Sequence, residues 1–196
     1  MTVDRPSENL LPRDGSAVLF ETVVSPTEGN AVLDALVDEL DWCHETVTLF
    51  GRTMAVPRLT AWYGDWAYSY SGITHSPAAM PATLVRLRNV AEAVARAPFN
   101  GVLANLYRDG TDSMGWHSDD EPELGPHPII ASISLGGTRR FHMKHRDGSG
   151  ELVSLDLTHG SCLVMSGSCQ DKWRHQVPKT KKQVAPRVNL TFRYSG

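Results

Sequence analysis

His117-Ser118-Asp119 sets an imidazole and a carboxylate two residues apart. In an extended segment, residues i and i+2 project to the same face, so both side chains can close on one cation. A third ligand has to come from a distant part of the chain. His175, inside Trp173-Arg174-His175-Gln176-Val177-Pro178, is placed to supply it from a later strand. Two histidines and one carboxylate suit non-haem Fe(II) and leave three coordination positions for a co-substrate and O2. A second pair of the same form, His145-Arg146-Asp147, runs straight into Asp147-Gly148-Ser149-Gly150 and reads as a hairpin turn instead. His44, His75, His127, His142 and His159 have no carboxylate at a chelating spacing and read as surface or core groups.

Downstream of His175, Arg187-Val188-Asn189-Leu190-Thr191-Phe192-Arg193 alternates. Arg187, Asn189, Thr191 and Arg193 share one face of a strand, with Val188, Leu190 and Phe192 on the other. A polar row turned into a barrel needs a partner, and a dicarboxylic co-substrate would be one, because a planar guanidinium pairs bidentately with a carboxylate. Standing alone, the same run would be a half-exposed strand with a polar solvent face.

These residues have to be carried by a fold. The 196 residues amount to one domain's worth, with 41% hydrophobic and 21% charged residues, 16 Gly and 12 Pro. Disorder, collagen and membrane-span readings fail on that composition. Cys43, Cys162 and Cys169 are an odd count in no CxxC pair, which fits a reducing compartment. The first residues form no apolar leader, so the expected location is intracellular: cytoplasmic in a bacterium, nuclear in a eukaryote. A monomer is expected.

Residues 1–16 read as a flexible polar tail and 17–196 as a single domain. Ser25-Pro26-Thr27-Glu28 starts a helix running to about Asp41, with Leu33, Leu36, Val37 and Leu40 as its apolar stripe. A second helix lies between Pro81 and Pro98, with Leu84, Leu87, Ala91 and Val94. From residue 101 the texture is short strands: Gly101–Tyr107, Ile129–Leu135, Arg139–His145, Glu151–Leu157, Ser161–Met165 and Arg187–Arg193, separated by glycine-containing turns. Strands at that spacing predict a mainly β jelly roll behind N-terminal helices.

The formal charge is −3, which as a sum offers no nucleic-acid signature. Its distribution does. Residues 1–100 carry 7 basic and 12 acidic residues, whereas 130–196 carry 11 basic and 4 acidic. Between them Asp109, Asp112, Asp119, Asp120, Glu121 and Glu123 form a one-sign cluster, either a solvated loop or a group that neutralises a cation.

Taken together, Asn105-Leu106-Tyr107-Arg108-Asp109-Gly110, His117-Ser118-Asp119-Asp120-Glu121, Ala131-Ser132-Ile133-Ser134-Leu135-Gly136, His159-Gly160-Ser161, His175 and Pro186-Arg187-Val188-Asn189-Leu190-Thr191-Phe192-Arg193 resemble the AlkB family of Fe(II)/2-oxoglutarate-dependent nucleic-acid dealkylases. The motifs occur in the family's order and cover residues 45–194. The resemblance implies a double-stranded β-helix with His117, Asp119 and His175 on the iron, as the catalytic centre. It further implies Asn105, Tyr107, Arg187, Asn189, Thr191 and Arg193 around 2-oxoglutarate, with one of the arginines on the distal carboxylate.

The earlier half is similar to the branch acting on double-stranded DNA, through Leu49-Phe50-Gly51-Arg52, Pro57-Arg58, Tyr63-Gly64-Asp65 and Tyr68-Ser69-Tyr70-Ser71-Gly72. In that branch a hairpin pushes an apolar residue into the base stack, and Phe50, flanked by Gly51 and Arg52, occupies the matching place. The other reading of Phe50 is a buried strand residue beside a glycine turn. Gly115-Trp116 before His117, and Tyr70 in place of Phe, depart from the pattern.

What the resemblance implies is oxidative demethylation of N1-methyladenine and N3-methylcytosine in DNA, releasing formaldehyde, succinate and CO2. Both lesions are cationic. Tyr68 and Tyr70 would offer aromatic faces, and Asp120 and Glu121 would favour a positive base. Arg139, Arg140, Lys144, Arg146, Lys172, Arg174, Lys179, Lys181 and Lys182 are candidates for a phosphate-binding rim. RNA is an alternative substrate, and hydroxylation of a protein or small molecule is an alternative reaction. A β-barrel binding module that has lost the metal is the non-enzymatic reading, disfavoured by the intact ligand set and the two arginines.

Overall fold

The computed structural model describes residues 6–49, 52–70 and 73–196. In chain order it contains β1 (Ser16–Phe20), α1 (Pro26–Glu39), β2 (Cys43–Leu49), β3 (Arg52–Gly64), β4 (Tyr68–Tyr70), β5 (Ile73–His75), α2 (Ala82–Ala95), β6 (Gly101–Tyr107), β7 (Met114–His117), β8 (Ile130–Gly136) and β9 (Arg139–His145). These are followed by β10 (Leu152–Leu157), β11 (Ser161–Ser166), the short α3 (Cys169–Lys172), β12 (Trp173–Val177) and β13 (Arg187–Arg193). The last eight strands divide four and four between two sheets. The larger sheet runs β1-β11-β8-β13-β6-β3-β2, the smaller β10-β9-β12-β7, and β4-β5 stands apart as a two-stranded ribbon. Two facing sheets of this kind are a jelly roll, the expected double-stranded β-helix.

Apolar residues fill two layers. Val188, Leu190 and Phe192 of β13 point to one side with Ala104 and Leu106 of β6 and Ala131, Ile133 and Leu135 of β8, where α1 and α2 cover them. Between the sheets lie Phe141, Met143, Leu155, Leu163, Met165 and Trp173. Every residue of β13 is consequently buried. Its polar row faces the inter-sheet space, and the half-exposed alternative falls away.

α1 begins as the sequence predicts, with Ser25 Oγ accepting from the Glu28 N–H and Pro26 in the first turn. Its buried side differs from the expected stripe: Gly29, Val32, Leu36 and Leu40 face the sheet, while Val37 is 38% exposed. His159 sets that rotation. Its Nδ1 accepts from the Gly136 N–H at 2.7 Å, and its Nε2 faces the Pro26 carbonyl at 3.2 Å. A Cβ at Gly29 would collide with this imidazole, so the glycine edge is the one that can approach. In α2, Leu84, Leu87 and Ala91 are buried as expected, with Val90 buried as well and Val94 only partly so.

The stretch read as a loose tail is docked over its described part. Ser7 N–H donates to the Leu19 carbonyl, Leu10 N–H to the Ala17 carbonyl, and Leu11 is 3% exposed. Arg13 meets Asp147 and Glu151 at the β9–β10 turn, and Trp173 Nε1 donates to its carbonyl. His145, of the second His-x-Asp pair, is part of that clamp through Asp14 and Asp147.

Candidate functional site

His117 ends β7 and His175 lies opposite it in β12 as a cross-strand pair, their ring centroids 4.2 Å apart. Asp119 follows two residues on, beyond the strand. One ligand atom from each of His117, Asp119 and His175 falls within 4.8 Å of the others, and among the described residues this is the group able to hold a metal ion. The backbone carrying Asp119 is pinned from below. Its N–H donates to Gln170 Oε1 of α3 at 3.0 Å, and Ser118 Oγ donates to the Trp173 carbonyl at 2.9 Å.

Protonation states suit a cation. His117 Nδ1 faces the Gly115 carbonyl at 2.8 Å, so that nitrogen carries the proton and Nε2, 3.8 Å from Asp119 Oδ1, keeps its lone pair. Burial lowers the pKa of both imidazoles, that of His175 to about 3, despite the opposing pull of Asp119. Burial would raise the Asp119 carboxyl, but Arg193 and then the two histidines outweigh it and hold it well below the carboxylate range. Two neutral imidazoles and one carboxylate are the donor set that Fe(II) takes without displacing protons.

The cavity beside these residues is walled by Asn105 and Tyr107 of β6, Ser132 of β8, Phe141 of β9, and Asn189, Thr191 and Arg193 of β13. Asn189 Nδ2 donates to Ser132 Oγ, and Thr191 Oγ1 donates to Asn189 Oδ1. Arg193 Nη2 donates to Asp119 Oδ1 at 2.8 Å. Arg187 lies behind the cavity wall, with its guanidinium 5.1 Å from the Tyr107 ring centre and Nη2 donating to Ser134 Oγ. Burial pulls its pKa down to about 10. Nε and Nη1 of both Arg187 and Arg193 are buried without a hydrogen-bond partner. Buried donors left without a partner are costly, and an anionic ligand would satisfy them.

Arg58 was missed by the sequence reading as a site residue. It is 2% exposed, lines the cavity, and its Nε donates to Asn105 Oδ1 at 2.6 Å, while Nη2 has no partner. The available signal was Pro57. A proline inside a strand breaks the ladder locally, and here His44 pairs with Leu59 but Thr46 with Ala55, leaving Val56, Pro57 and Arg58 opposite Glu45 alone.

In the cavity wall, the hydroxyl of buried Tyr68 donates to Glu121 Oε1 at 2.7 Å; Glu121 itself stands outside the lining. The Tyr68 ring is stacked on Trp62, with Arg193 5.1 Å from its centre, so it presents a hydroxyl where a free aromatic face was expected. Glu121 is pushed up in pKa, chiefly by burial. Asp120 points away: it is exposed, pairs with Arg146 at 2.7 Å and does not line the cavity. Of the expected phosphate rim, Arg139 is buried, donating to the carbonyls of Asp109, Asp112 and Pro178. Arg140 pairs with Asp156, whereas Lys172, Arg174, Lys179, Lys181 and Lys182 are exposed. Phe50 and Gly51 lie outside the described residues, as do the side chains of Arg52 and Tyr70, whose backbones belong to β3 and β4.

A jelly roll with this donor set between its sheets defines a class. Residues 16–193 match the model of the 2OG-Fe(II) oxygenase superfamily, and the chain belongs to it. Fe(II), 2-oxoglutarate and O2 are that superfamily's standard requirements, and the fit of the residues to them is the one described above. Within the superfamily the chain belongs to the AlkB family. It is 42% identical over 184 residues to the human alpha-ketoglutarate-dependent dioxygenase alkB homolog 3, covering 89% of this chain and 64% of that protein. It is 38% identical over 200 residues to the human DNA oxidative demethylase ALKBH2, covering 96% of this chain and 77% of that one. The solved structure of OsALKBH1 superposes with a TM-score of 0.70 at 16% identity, over 93% of this chain and 98% of that one, a likeness of fold.

Proposed function

We propose that this dioxygenase removes N-methyl groups from bases in DNA, N1-methyladenine and N3-methylcytosine being the substrates that its site suits, with RNA as the second reading. The observation carrying it is the join between two features: a neutral-histidine, ionised-aspartate triad beside bare buried guanidinium groups, and a cavity-lining Tyr68 whose hydroxyl is held by Glu121. With Fe(II), 2-oxoglutarate and O2 bound, the chemistry supplied is oxidation of the methyl group coupled to loss of CO2 and formation of succinate, after which the hydroxymethyl base releases formaldehyde. His117, Asp119 and His175 would hold the iron. Asn105, Tyr107, Arg187, Asn189, Thr191 and Arg193 would hold the co-substrate, the guanidinium groups taking its carboxylates. Arg193 keeps Asp119 ionised and aimed, so the ligand set is ordered before substrate enters. Glu121 sits where a cationic ring would be favoured. A base must leave its stack to reach a cavity between two sheets, and a DNA relative at 38% identity agrees with that demand.

The test is formaldehyde release from N1-methyladenine in single-stranded DNA, duplex DNA and RNA, with Fe(II) and 2-oxoglutarate. Turnover is expected on DNA and lost in His117→Ala and Asp119→Ala. No turnover on any strand form, with succinate formed on a protein or metabolite, contradicts the proposal. For the hairpin, Phe50→Ala is expected to impair duplex repair far more than single-strand repair, because an inserted ring offsets part of the unstacking cost of a few kcal/mol. Equal losses would make Phe50 a core residue.

A further inference from the structure

The β4–β5 ribbon carries Tyr68, yet it belongs to neither large sheet. Its strands pair with each other, Tyr68 opposite His75, and among the described residues its root meets the main sheet in a single bridge between Gly64 and Ala78. Trp62 and Trp66 pack on Tyr68 from one side. A two-stranded ribbon held at one end is marginal by itself. Placement of the Tyr68 hydroxyl within 2.7 Å of Glu121 therefore depends on that packing, with Leu103 beneath it, together with what holds the returning strand.

That strand ends at His75, whose Nε2 stands 2.7 Å from Glu45 Oε1 on β2, an ion-pair contact in which the buried Oε1 has no aligned hydrogen bond. The carboxylate is 7% exposed, an uncommon place for glutamate. It gets there through the Pro57 irregularity, which sends Arg58 to the cavity and leaves Glu45 as the lone residue across from it. Burial opposes the charged form, but His75, then Thr60 and Arg58, outweigh it and keep the carboxyl below its ordinary range. The His75 ring lies at 22° to that of Tyr68, with centroids 6.3 Å apart, so the partner of Glu45 is also a neighbour of the tyrosine. Neither Glu45 nor His75 lines the cavity.

We propose that Glu45 and His75 are a positioning pair: their contact straps the β4–β5 ribbon onto β2 and thereby sets where the Tyr68 hydroxyl and Glu121 meet an incoming methylated base. The inference rests on the demethylase reading for its consequence, and on geometry for the strap itself. Removing either partner frees the ribbon, blurs the cavity wall at Tyr68 and weakens base recognition without reaching the metal ligands.

The experiment is a double-mutant cycle of Glu45→Gln and His75→Leu in the full chain, read in two ways. Each single variant is expected to raise KM for an N1-methyladenine oligonucleotide about tenfold while KM for 2-oxoglutarate stays within about twofold; the double variant should be no worse than the poorer single. His75→Gln, which keeps a donor near the place of Nε2, should return KM to within about threefold of the starting protein. Amide exchange, measured without substrate, should show protection lost at Tyr68–Tyr70 and Ile73–His75 in each single variant, and kept in β6 and β13. Unchanged oligonucleotide KM in both singles, additive losses in the double, a Gln variant as poor as the Leu variant, or protection lost throughout the chain would each overturn the strap. If the starting protein turns over no methylated base, the functional reading falls, and exchange in the ribbon alone still decides whether the pair holds it.

Discussion

Arg193 and Arg187 leave the same atoms, Nε and Nη1, unpaired and differ in what Nη2 binds, and that difference separates them. Arg193 spends Nη2 on Asp119 and lines the cavity, so it serves both the ligand set and the pocket. Arg187, anchored on Ser134 behind Tyr107, has no contact with the triad, and under the proposed function its free donors would serve the co-substrate alone. Arg187→Lys keeps a charge and loses the planar fork, and is expected to raise KM for 2-oxoglutarate by roughly 10- to 100-fold, with the thermal midpoint little changed. Steady-state kinetics in 2-oxoglutarate check it; an unchanged KM would move the carboxylate elsewhere. Gln170 touches no ligand atom of the triad, but it receives the Asp119 N–H. Gln170→Leu is expected to weaken metal binding by about 10-fold or more, measured by titration with a spectroscopically visible divalent ion. Equal affinity would show that Ser118 and Arg193 hold the loop unaided.

At the level of elements, α1 is held on the sheet by its apolar face and by one imidazole, that of His159. Gly29→Ala sets a methyl group against His159 and is expected to destabilise the fold by about 1–3 kcal/mol, read as a lowered thermal midpoint; an unchanged midpoint would mean that α1 slides freely on the sheet. Much of the architecture was legible because it is written in local alternation. β6, β9 and β13 were bounded to the residue, and the polar row of β13 could be separated from its apolar row before any partner was known. The elements that resisted owe their form to distant residues. The docking of residues 7–16 depends on backbone pairing with Leu19 and Ala17 and on an arginine reaching Asp147, 134 positions away. The rotation of α1 depends on His159. Asp120 and Asp119 are adjacent in sequence but diverge once the chain leaves β7, one toward Arg146 and solvent, the other toward Arg193 and the cavity. Periodicity gives no warning of that divergence. Tyr68 likewise looked like a stacking face because its own neighbour, Trp62, comes from the preceding strand.

For the molecule as a whole, the net charge of −3 conceals a division that the structure refines. The acidic run 109–123 is not one cluster around a metal. Asp119 joins the triad and Glu121 accepts from the Tyr68 hydroxyl, while Asp109 caps its own turn through Thr111, Asp112 binds Arg108, and Asp120 binds Arg146. Asp112 is buried, and Arg108 lowers its pKa against the opposing effect of burial. Its contribution to stability is present above the usual unfolded carboxylate value of about 4 and is lost as pH falls toward its lower folded value. Asp112→Asn should therefore reduce stability near neutrality and flatten its decline below about pH 4, followed by denaturant unfolding across pH; an unaltered profile would remove this carboxylate from the acid response. Exposed basic residues gather late in the chain, at Lys172, Arg174, Lys179, Lys181 and Lys182, where phosphates could be met without disturbing the triad. The proposed demethylation would join these residues to iron and 2-oxoglutarate chemistry between the sheets. It is tested most directly by counting products on an N1-methyladenine oligonucleotide: adenine restored, succinate and formaldehyde should appear in equal amounts in the starting protein and vanish together in His175→Ala. Succinate formed with no restored adenine, or adenine restored as fast by the His175→Ala protein, would contradict it.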